Sequence, residues 1–398
     1  MSGSVEAGPI DTDALWPAHV APDYVADVRA YAAREIAPLA CAIDREDVYP
    51  TAILKDLARR GYSTAVLEPR FGGAGLTYAH AAAVFEELSV ASGAVGISLI
   101  TVYQAQTMIR AFAAESLQAR YLPAFREGLL TSYALTEAAH GSDIRKLDTH
   151  ARRDGGEWVI GGEKQFITSG SAAELFVILA QTEAGVSVFA VPRDAPGVHV
   201  YEGGNSATFG LRNGPHVNVR LEQVRLPSDY LIGPEGAGVR QAAVVLNHSR
   251  TLAGAISLGI ARAAFEGALR FARDRVAFDQ RVIEFQGIQW YFADMLSEID
   301  AARLLVHRAA CALDAKEQIA RWGSEAKLKA SAVATAVAAQ AAQICGAYGI
   351  MENAPFGRYL RDAKAYEIAG GSSEILKNTI GKFLLPVAGL PDRKAKAL

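Results

Sequence analysis

Several signatures that would assign a protein class are missing from this sequence. Its three cysteines show neither CxxC nor CxxH spacing, so we interpret them as reduced core thiols of a cytoplasmic protein. The eight histidines form no HxxxH or HxH pair, and no metal site is expected. No run of 18 apolar residues and no signal peptide are visible, which predicts a soluble protein with no membrane contact.

Charge of one sign is also scarce. The 40 lysines and arginines nearly balance the 43 aspartates and glutamates, giving a net charge of −3 over 398 residues. This balance argues against a nucleic-acid or membrane-surface partner. The sequence has no GxSxG elbow, no Walker loop and no GxGxxG after a predicted strand, so common hydrolase, phosphate-loop and Rossmann sites are not expected.

The spacing of apolar residues divides the chain into four zones. They are a loose arm at 1–20, a helical domain at 21–130, a β-domain at 131–235 and a helical bundle at 236–398. In the helical domain, Val25, Val28, Tyr31 and Ala32 share one helix face. Short β-branched runs between glycine turns mark the β-domain. The fold class is therefore α+β, with an antiparallel barrel or sandwich between two helical regions.

The individual elements follow from the same patterns. Helices are predicted at 23–36, 77–91, 102–120, 250–274, 285–313 and 319–349. Strands are predicted at 157–160, 175–181, 186–191 and 216–221. A charged tail is expected at 392–398.

Two segments carry more polar groups than a structural role requires. Residues 135–143 form a loop of glycine and small hydroxyl residues that can offer donors to a planar heterocycle or a phosphate, although a self-capped turn explains the same composition. Residues 369–374 suggest a helix start capped by Ser372 or Ser373, and such a start is also an anion site. Composition alone leaves both alternatives open.

Six short motifs then follow one another along the chain. They are PRFGGAGL (69–76), YALTE with GSD (133–137, 141–143), GEKQFIT (162–168), RVAF with FQ (275–278, 285–286), QICG with Gly349 (343–346) and LRDAKAY with Ile368, Glu374 and Ile375 (360–366). In this order they resemble the acyl-CoA dehydrogenase family of flavoproteins, over residues 22–388. The resemblance implies a C-terminal four-helix bundle, a homotetramer, and FAD between the β-domain and the bundle.

The resemblance also assigns cofactor-binding residues by position. One group lines the flavin: Tyr133, Leu135, Thr136, Gly141, Ser142, Phe166 and Thr168. A second group holds the pyrophosphate and adenosine, partly across a subunit boundary: Arg275, Phe278, Gln286, Gln343, Gly346 and Ala347. Phe166 stands where tryptophan is usual, Thr168 is expected near the flavin N5 edge, and Ser372 replaces a threonine beside the cofactor.

The catalytic base is where the sequence departs from the family pattern. Family chemistry needs a carboxylate to remove the α-proton of an acyl thioester while a hydride passes from the β-carbon to the flavin. Gly370 occupies the usual glutamate position, and Ser249 occupies the alternative position of isovaleryl-type and long-chain members. Removing a positioned base typically lowers a rate by about 10²- to 10⁴-fold, so the catalytic residue is left unassigned.

Three explanations of this departure remain open. The base is relocated, with His248 as a candidate that is nevertheless expected to face solvent. Alternatively, the fold performs other flavin chemistry, such as desulfination or heteroatom oxidation, or the chain is a catalytically silent partner subunit.

The resemblance further implies the substrate and the partners. The substrate is an acyl thioester of CoA or of an acyl-carrier protein, and an electron-transfer flavoprotein is the expected redox partner. The positions assigned to the substrate are Ser142, Asn247, Ser249, Arg250 and Gly370.

Overall fold

The computed structural model describes Trp16, residues 19–203 and residues 207–388. A helical region, a β-sheet and a second helical region follow one another along the chain, which confirms the predicted α+β class. The charged tail and most of the N-terminal arm lie outside the described residues. Where the arm is described, Trp16 and Val20 are buried, and the rings of Trp16 and His307 lie 4.0 Å apart. The end of the arm therefore packs against the rest of the molecule.

Six α-helices precede the sheet. They are α1 (Pro22–Tyr31), α2 (Ala40–Glu46), α3 (Thr51–Arg60), α4 (Tyr78–Ala91), α5 (Gly93–Phe112) and α6 (Glu115–Tyr121). The face predicted around Val25, Val28 and Tyr31 is confirmed, because all three side chains are buried. The helix predicted at 102–120 is instead two helices, since the backbone becomes extended at Ala113 and ends α5.

The middle region is one sheet of eight strands. They are β1 (Thr131–Ala134), β2 (His150–Asp154), β3 (Glu157–Ile167), β4 (Leu175–Thr182), β5 (Gly185–Pro192), β6 (Val198–Tyr201), β7 (Val217–Pro227) and β8 (Leu231–Ile232). Their order is β6-β7-β3-β2-β4-β5-β8, with β1 added beside β4. Most pairings are antiparallel, as predicted, but β1 and β2 both run parallel to β4. The sheet is therefore mixed.

Six helices and a short hairpin follow the sheet in the residues up to 388 that the structure describes. They are α7 (Gly238–Asp274), α8 (Gln286–Asp314), α9 (Ile319–Ile344), α10 (Phe356–Ile368), α11 (Ser373–Lys382) and α12 (Leu384–Val387), with β9 (Val276–Ala277) and β10 (Gln280–Arg281) between α7 and α8. One 18-residue window of α7 is apolar enough to cross a membrane, but 83% of that window is buried inside the protein. We therefore describe α7 as a core helix.

A cluster of charged side chains joins the two helical regions. The Glu86 carboxylate of α4 accepts hydrogen bonds from Arg262 of α7 at 2.8 Å and from Arg303 of α8 at 2.7 Å. The neighbouring Glu87 accepts one from Arg262 at 2.6 Å and two from Arg29 of α1, each at 3.0 Å. Burial favours a raised pKa for Glu86, but Arg303 and Arg262 lower it to about 2, so this core carboxylate is ionised.

The three regions of the molecule meet at α10. The buried Asp362 carboxylate accepts the backbone N–H of Leu211, in the segment between β6 and β7, at 2.6 Å. Next to it, Arg361 forms an ion pair with Asp44 of α2, with Nη1 and Oδ1 2.9 Å apart. Because α10 ends at Ile368, these contacts fix the helix end that leads into the segment at 369–372.

Candidate active site

The residues predicted to line the flavin on β1 and β3 lie side by side. The hydroxyl of Ser132 donates a 2.6 Å hydrogen bond to the carbonyl oxygen of Thr168. Just beyond the end of β1, the carbonyl oxygen of Thr136 accepts a hydrogen bond from the backbone N–H of Gln165 in β3 at 2.9 Å. These bonds bring the end of β1, with Tyr133, next to the end of β3.

A buried ion pair that sequence reasoning missed holds this arrangement. The Glu137 carboxylate accepts hydrogen bonds from Lys164 Nζ at 2.7 Å and from the backbone N–H groups of Asp148 and Thr149 at 2.6 and 3.0 Å. Burial lowers the pKa of Lys164 to about 8, against the opposing effect of Glu137. The motif at 133–137 carries one acidic residue and the motif at 162–168 carries one lysine, and these opposite charges are the signal that could have identified the pair.

The Glu137 carboxylate lies near two other side chains of a kind that can bind a metal ion. Glu137, His140 and Asp148 offer ligand atoms that all lie within 4.8 Å of one another. However, the Glu137 carboxylate is already bonded to an ammonium group and two amides, and the ammonium charge repels a metal cation. We therefore assign no metal to this group.

Phe166 occupies a bulge near the end of β3. The register with β7 shifts between Lys164 and Ile167, and Phe166 has a φ of 56°. A left-handed backbone costs a non-glycine residue roughly 1–2 kcal/mol, and such strain concentrates at functional sites. The bulge leaves Phe166 54% exposed, so its ring is available for stacking.

Three local observations fit a bound flavin. The exposed ring of Phe166 provides a stacking face, and the buried hydroxyl of Tyr133 bonds to no described residue. A side chain at Gly141 would meet no atom within 4 Å, so the loop after β1 leaves room beside the two strands. The loop itself is exposed at Gly141 and Ser142.

The residues predicted to hold the pyrophosphate and adenosine lie at or just after the C-terminal ends of α7 and α9, except Gln286, which is the first residue of α8. All of them are exposed: Arg275, Phe278, Gln286, Gln343, Gly346 and Ala347. Phe278 stands at the tip of the β9–β10 hairpin with 91% of its surface exposed. The rings of Phe271 and Tyr348 lie 5.6 Å apart and join the two helix ends. The structure thus brings this second group together.

Three of the positions predicted to bind substrate, Asn247, Ser249 and Arg250, lie in the N-terminal half of α7. Arg250 and Arg275 are separated by about 37 Å of helix, at 1.5 Å per residue. One chain therefore does not bring the substrate positions on α7 next to the residues predicted to hold the adenosine.

The segment that replaces the usual glutamate is a turn of two left-handed glycines. Gly370 has a φ of 70° and Gly371 a φ of 106°. A Cβ atom at Gly370 would meet nothing within 4 Å, so this position faces open space. Ser372 then caps α11, with its hydroxyl accepting the N–H of Ile375 at 3.5 Å, and the predicted helix start is confirmed.

Two basic side chains bind the carbonyl groups of this turn. Arg250 Nε lies 3.5 Å from the Gly370 oxygen, and Arg250 Nη1 donates to the side-chain oxygen of Asn247 at 3.1 Å. Lys327 Nζ, on α9, donates to the Gly371 oxygen at 2.8 Å. The structure therefore joins Asn247, Arg250 and Gly370, which the sequence assigned to the substrate, and adds Lys327.

Sequence reasoning missed Lys327 because this residue lies outside all six motifs. Its signal is a single basic residue on the buried alanine face of α9, where Ala326, Ala330 and Ala334 are also fully buried. A lysine at such a position needs a specific partner, and that partner is the carbonyl oxygen of Gly371.

Ser249, at the alternative base position, also supplies no carboxylate. Ser249 is buried, and its hydroxyl donates to the Leu246 carbonyl oxygen of its own helix at 3.2 Å. Ser142, which was also assigned to the substrate, lies in the exposed loop after β1 and makes no hydrogen bond to this group among the described residues.

His248 does not face solvent, and that expectation is wrong. It is partly buried, with Nδ1 2.9 Å from the Val244 carbonyl oxygen and its ring 5.1 Å from the ring of Tyr78. Burial lowers its pKa. Since helix positions two residues apart point about 200° from each other, His248 faces away from the side of α7 that carries Arg250.

Comparison with known proteins identifies the family of the chain. Three acyl-CoA dehydrogenase domain models match the chain: the N-terminal domain at 23–128, the middle domain at 132–224 and the C-terminal domain at 236–385. The mouse mitochondrial short-chain specific acyl-CoA dehydrogenase is 34% identical over 365 residues, which cover 90% of this chain and 88% of that protein.

Solved structures show the same likeness. Butyryl-CoA dehydrogenase from Megasphaera elsdenii superposes with a TM-score of 0.88 at 30% identity, covering 91% of this chain and 97% of that one. A glutaryl-CoA dehydrogenase from Mycobacterium smegmatis in complex with FADH2 also gives a TM-score of 0.88, at 26% identity, covering 94% and 97%. With all three domains matched in order, the chain belongs to the acyl-CoA dehydrogenase family.

Proposed function

We propose that this chain is a soluble, cytoplasmic, FAD-dependent oxidoreductase that acts on an acyl thioester of CoA or of a carrier protein. Its base differs from the two glutamates usual in the family. Two observations together carry the proposal. The residues predicted to line the flavin lie side by side at the ends of β1 and β3, and the thioester site has no carboxylate at Gly370 or at Ser249. The names of its relatives support a CoA thioester as substrate.

The residues present fit FAD. Phe166 would stack on the ring system, the orphaned Tyr133 hydroxyl would gain a polar partner, and Thr136 and Thr168 would line the ring edge. When bound, FAD accepts the hydride equivalent that an acyl thioester loses on oxidation. The protein's part is to bind and orient both molecules and to accept the substrate proton.

The distance between the substrate positions on α7 and the residues predicted to hold the adenosine supports a homo-oligomer, for which we propose a tetramer. About 37 Å of helix separates Arg250 from Arg275, so a single copy holds these two positions far apart. The exposed Arg275 and Phe278 would therefore hold the adenosine end of an FAD whose ring lies in another copy. Arg275 suits this task because a guanidinium pairs bidentately with phosphate oxygens.

A water or a displaced side chain is the proposed base. The open space over Gly370 admits either one. Glu367 and Glu374 are poor candidates, because Glu367 is paired with Lys364 at 2.9 Å and Glu374 is exposed in the first turn of α11. An electron-transfer flavoprotein is the proposed electron acceptor.

Two other functions fit the missing carboxylate. Desulfination or heteroatom oxidation on the same fold would release sulfite or depend on oxygen, and a silent subunit would bind FAD without reduction by any thioester. Purified, FAD-loaded protein mixed with acyl-CoA thioesters separates them. Thioester-dependent loss of the oxidised flavin absorbance without oxygen or sulfite supports the dehydrogenase, and its absence across a full panel contradicts it.

A further inference from the structure

The thioester site contains two cations that have no acidic partner. Arg250 bonds to the Gly370 carbonyl oxygen and the Asn247 amide, and Lys327 bonds to the Gly371 carbonyl oxygen. Neither side chain forms an ion pair with any acidic residue that the structure describes. Lys327 is fully buried and Arg250 is partly buried.

Such an arrangement is energetically unfavourable unless an anion approaches it. Taking a charged group out of water costs several kcal/mol unless it is paired. Burial, together with the nearby charge of Arg250, lowers the pKa of Lys327 to about 8. Glu367 and Glu374 act on Lys327 only from beyond ion-pair distance, so the charge of the site stays positive.

The same site also has room for an anionic group. Gly370 projects no side chain, and its Cβ position is open for at least 4 Å. Ser249 fills the second position with a hydroxyl that is bonded to its own helix. A carboxylate is thus missing from both places where a side chain could have balanced the two cations.

We propose that the acyl group of the substrate carries a carboxylate or a similar oxyanion, which binds against the Arg250 guanidinium over Gly370. This inference rests on the proposed function, because it names the class of acyl thioester for the same site. The guanidinium offers paired N–H donors that match an oxyanion. Lys327 is a positioning residue, since it holds the Gly371 carbonyl and adds positive charge without reaching the open space.

Binding of matched CoA analogues tests the proposal without any reaction. The thioether analogues of succinyl-CoA and butyryl-CoA have the same chain length and differ in one terminal carboxylate. Isothermal titration calorimetry of the FAD-loaded protein at pH 7 gives a dissociation constant for each. We expect the carboxylate analogue to bind at least about tenfold more tightly, the size of one charge-assisted hydrogen bond.

Variants that restore a carboxylate provide the control. Gly370→Glu should abolish the preference by neutralising the cations, whereas Gly370→Gln imposes the same backbone strain and size and should keep it. Ser249→Glu and Ser249→Gln repeat the comparison on helical backbone that accepts any residue. The inference would be overturned if the wild type bound the two analogues equally, or if both glutamate variants still preferred the carboxylate analogue. Either result would leave the proposed function intact. Failure to bind either analogue would overturn both.

Discussion

Lys327 Nζ lies 2.8 Å from the Gly371 carbonyl oxygen, which places a buried ammonium group directly behind the turn that lacks the family glutamate. Here the bond links α9 to the segment between α10 and α11. The charge state of Lys327 therefore bears on both the turn and any anion that binds over it.

The affinity for a carboxylate-bearing thioester should fall as pH rises through about 8. Lys327 is charged below its pKa of about 8 and neutral above it, so the attraction is present at pH 7 and lost by pH 9. Arg250 stays charged over this range, and Glu367 and Glu374, whose pKa values are lowered, stay ionised. Calorimetric titrations of the succinyl-CoA thioether at pH 6.5 to 9.5 measure the effect.

Two variants assign that pH dependence to Lys327. Lys327→Met removes the titrating group, so its affinity for the analogue should be weaker and independent of pH. Lys327→Arg keeps a charge at every pH, so its affinity should be independent of pH and as high as that of the wild type at pH 7. A wild-type step near pH 8 that persists in Lys327→Met would contradict the assignment.

Asp362→Asn should stabilise the protein more at pH 8 than at pH 5. Burial raises the pKa of Asp362 to about 6, above its ordinary value, so the stability that protonation confers is present at low pH and lost as pH rises through 6. The asparagine oxygen can still accept the Leu211 N–H. A pKa raised by about two units corresponds to roughly 3 kcal/mol over the whole titration, of which about 1.5 kcal/mol falls between pH 5 and pH 8. Urea unfolding at both pH values measures it, and an equal change at both would refute the explanation.

Glu86→Gln should destabilise the fold by about 3–5 kcal/mol, because it leaves the Arg262 and Arg303 guanidiniums buried with one negative charge fewer. The matched control is Glu317→Gln, which breaks an exposed pair with Arg308 at 2.6 Å and should change stability by less than about 1 kcal/mol. Denaturant unfolding of both variants gives the comparison. Similar effects of the two substitutions would show that burial is not what makes the cluster important.

Arg275→Ala should weaken FAD binding about 10- to 100-fold, the range expected for a lost guanidinium–phosphate contact. Arg273→Ala is the control, since Arg273 is exposed on the same helix end and bonds to Asp274 at 2.7 and 2.9 Å. Fluorescence titration of the apoprotein with FAD measures both. An unchanged dissociation constant for Arg275→Ala would remove Arg275 from the cofactor site.

The sequence predicted the parts of the fold that local patterns encode. Strand β5 and helix α8 were predicted to within about a residue at each end, because period and turn residues both mark them. The long helix candidate was placed at Arg250, whereas α7 begins twelve residues earlier, at Gly238. The parallel pairing of β1 with β4 depends on contacts between distant segments, which no local pattern reveals.

The site shows the same limit. The motifs predicted Tyr133, Thr136 and Thr168 as flavin-lining residues and Gly370 and Ser249 as positions without a carboxylate, because such predictions need only residue type and order. The pairing of Lys327 with Gly371 joins residues 44 positions apart through the packing of three helices. Only the folded chain shows that two cations converge where a carboxylate is missing.

The most direct test of the proposed function is anaerobic titration of the FAD-loaded protein with acyl-CoA thioesters, including succinyl-CoA and glutaryl-CoA, followed by the oxidised flavin absorbance. Wild type, Gly370→Glu and Gly370→Gln are compared side by side. We predict that at least one thioester bleaches the wild-type flavin, which requires a base outside the two usual positions. If thioesters bind but bleach only Gly370→Glu, the wild-type chain has no working base and is not an acyl thioester dehydrogenase.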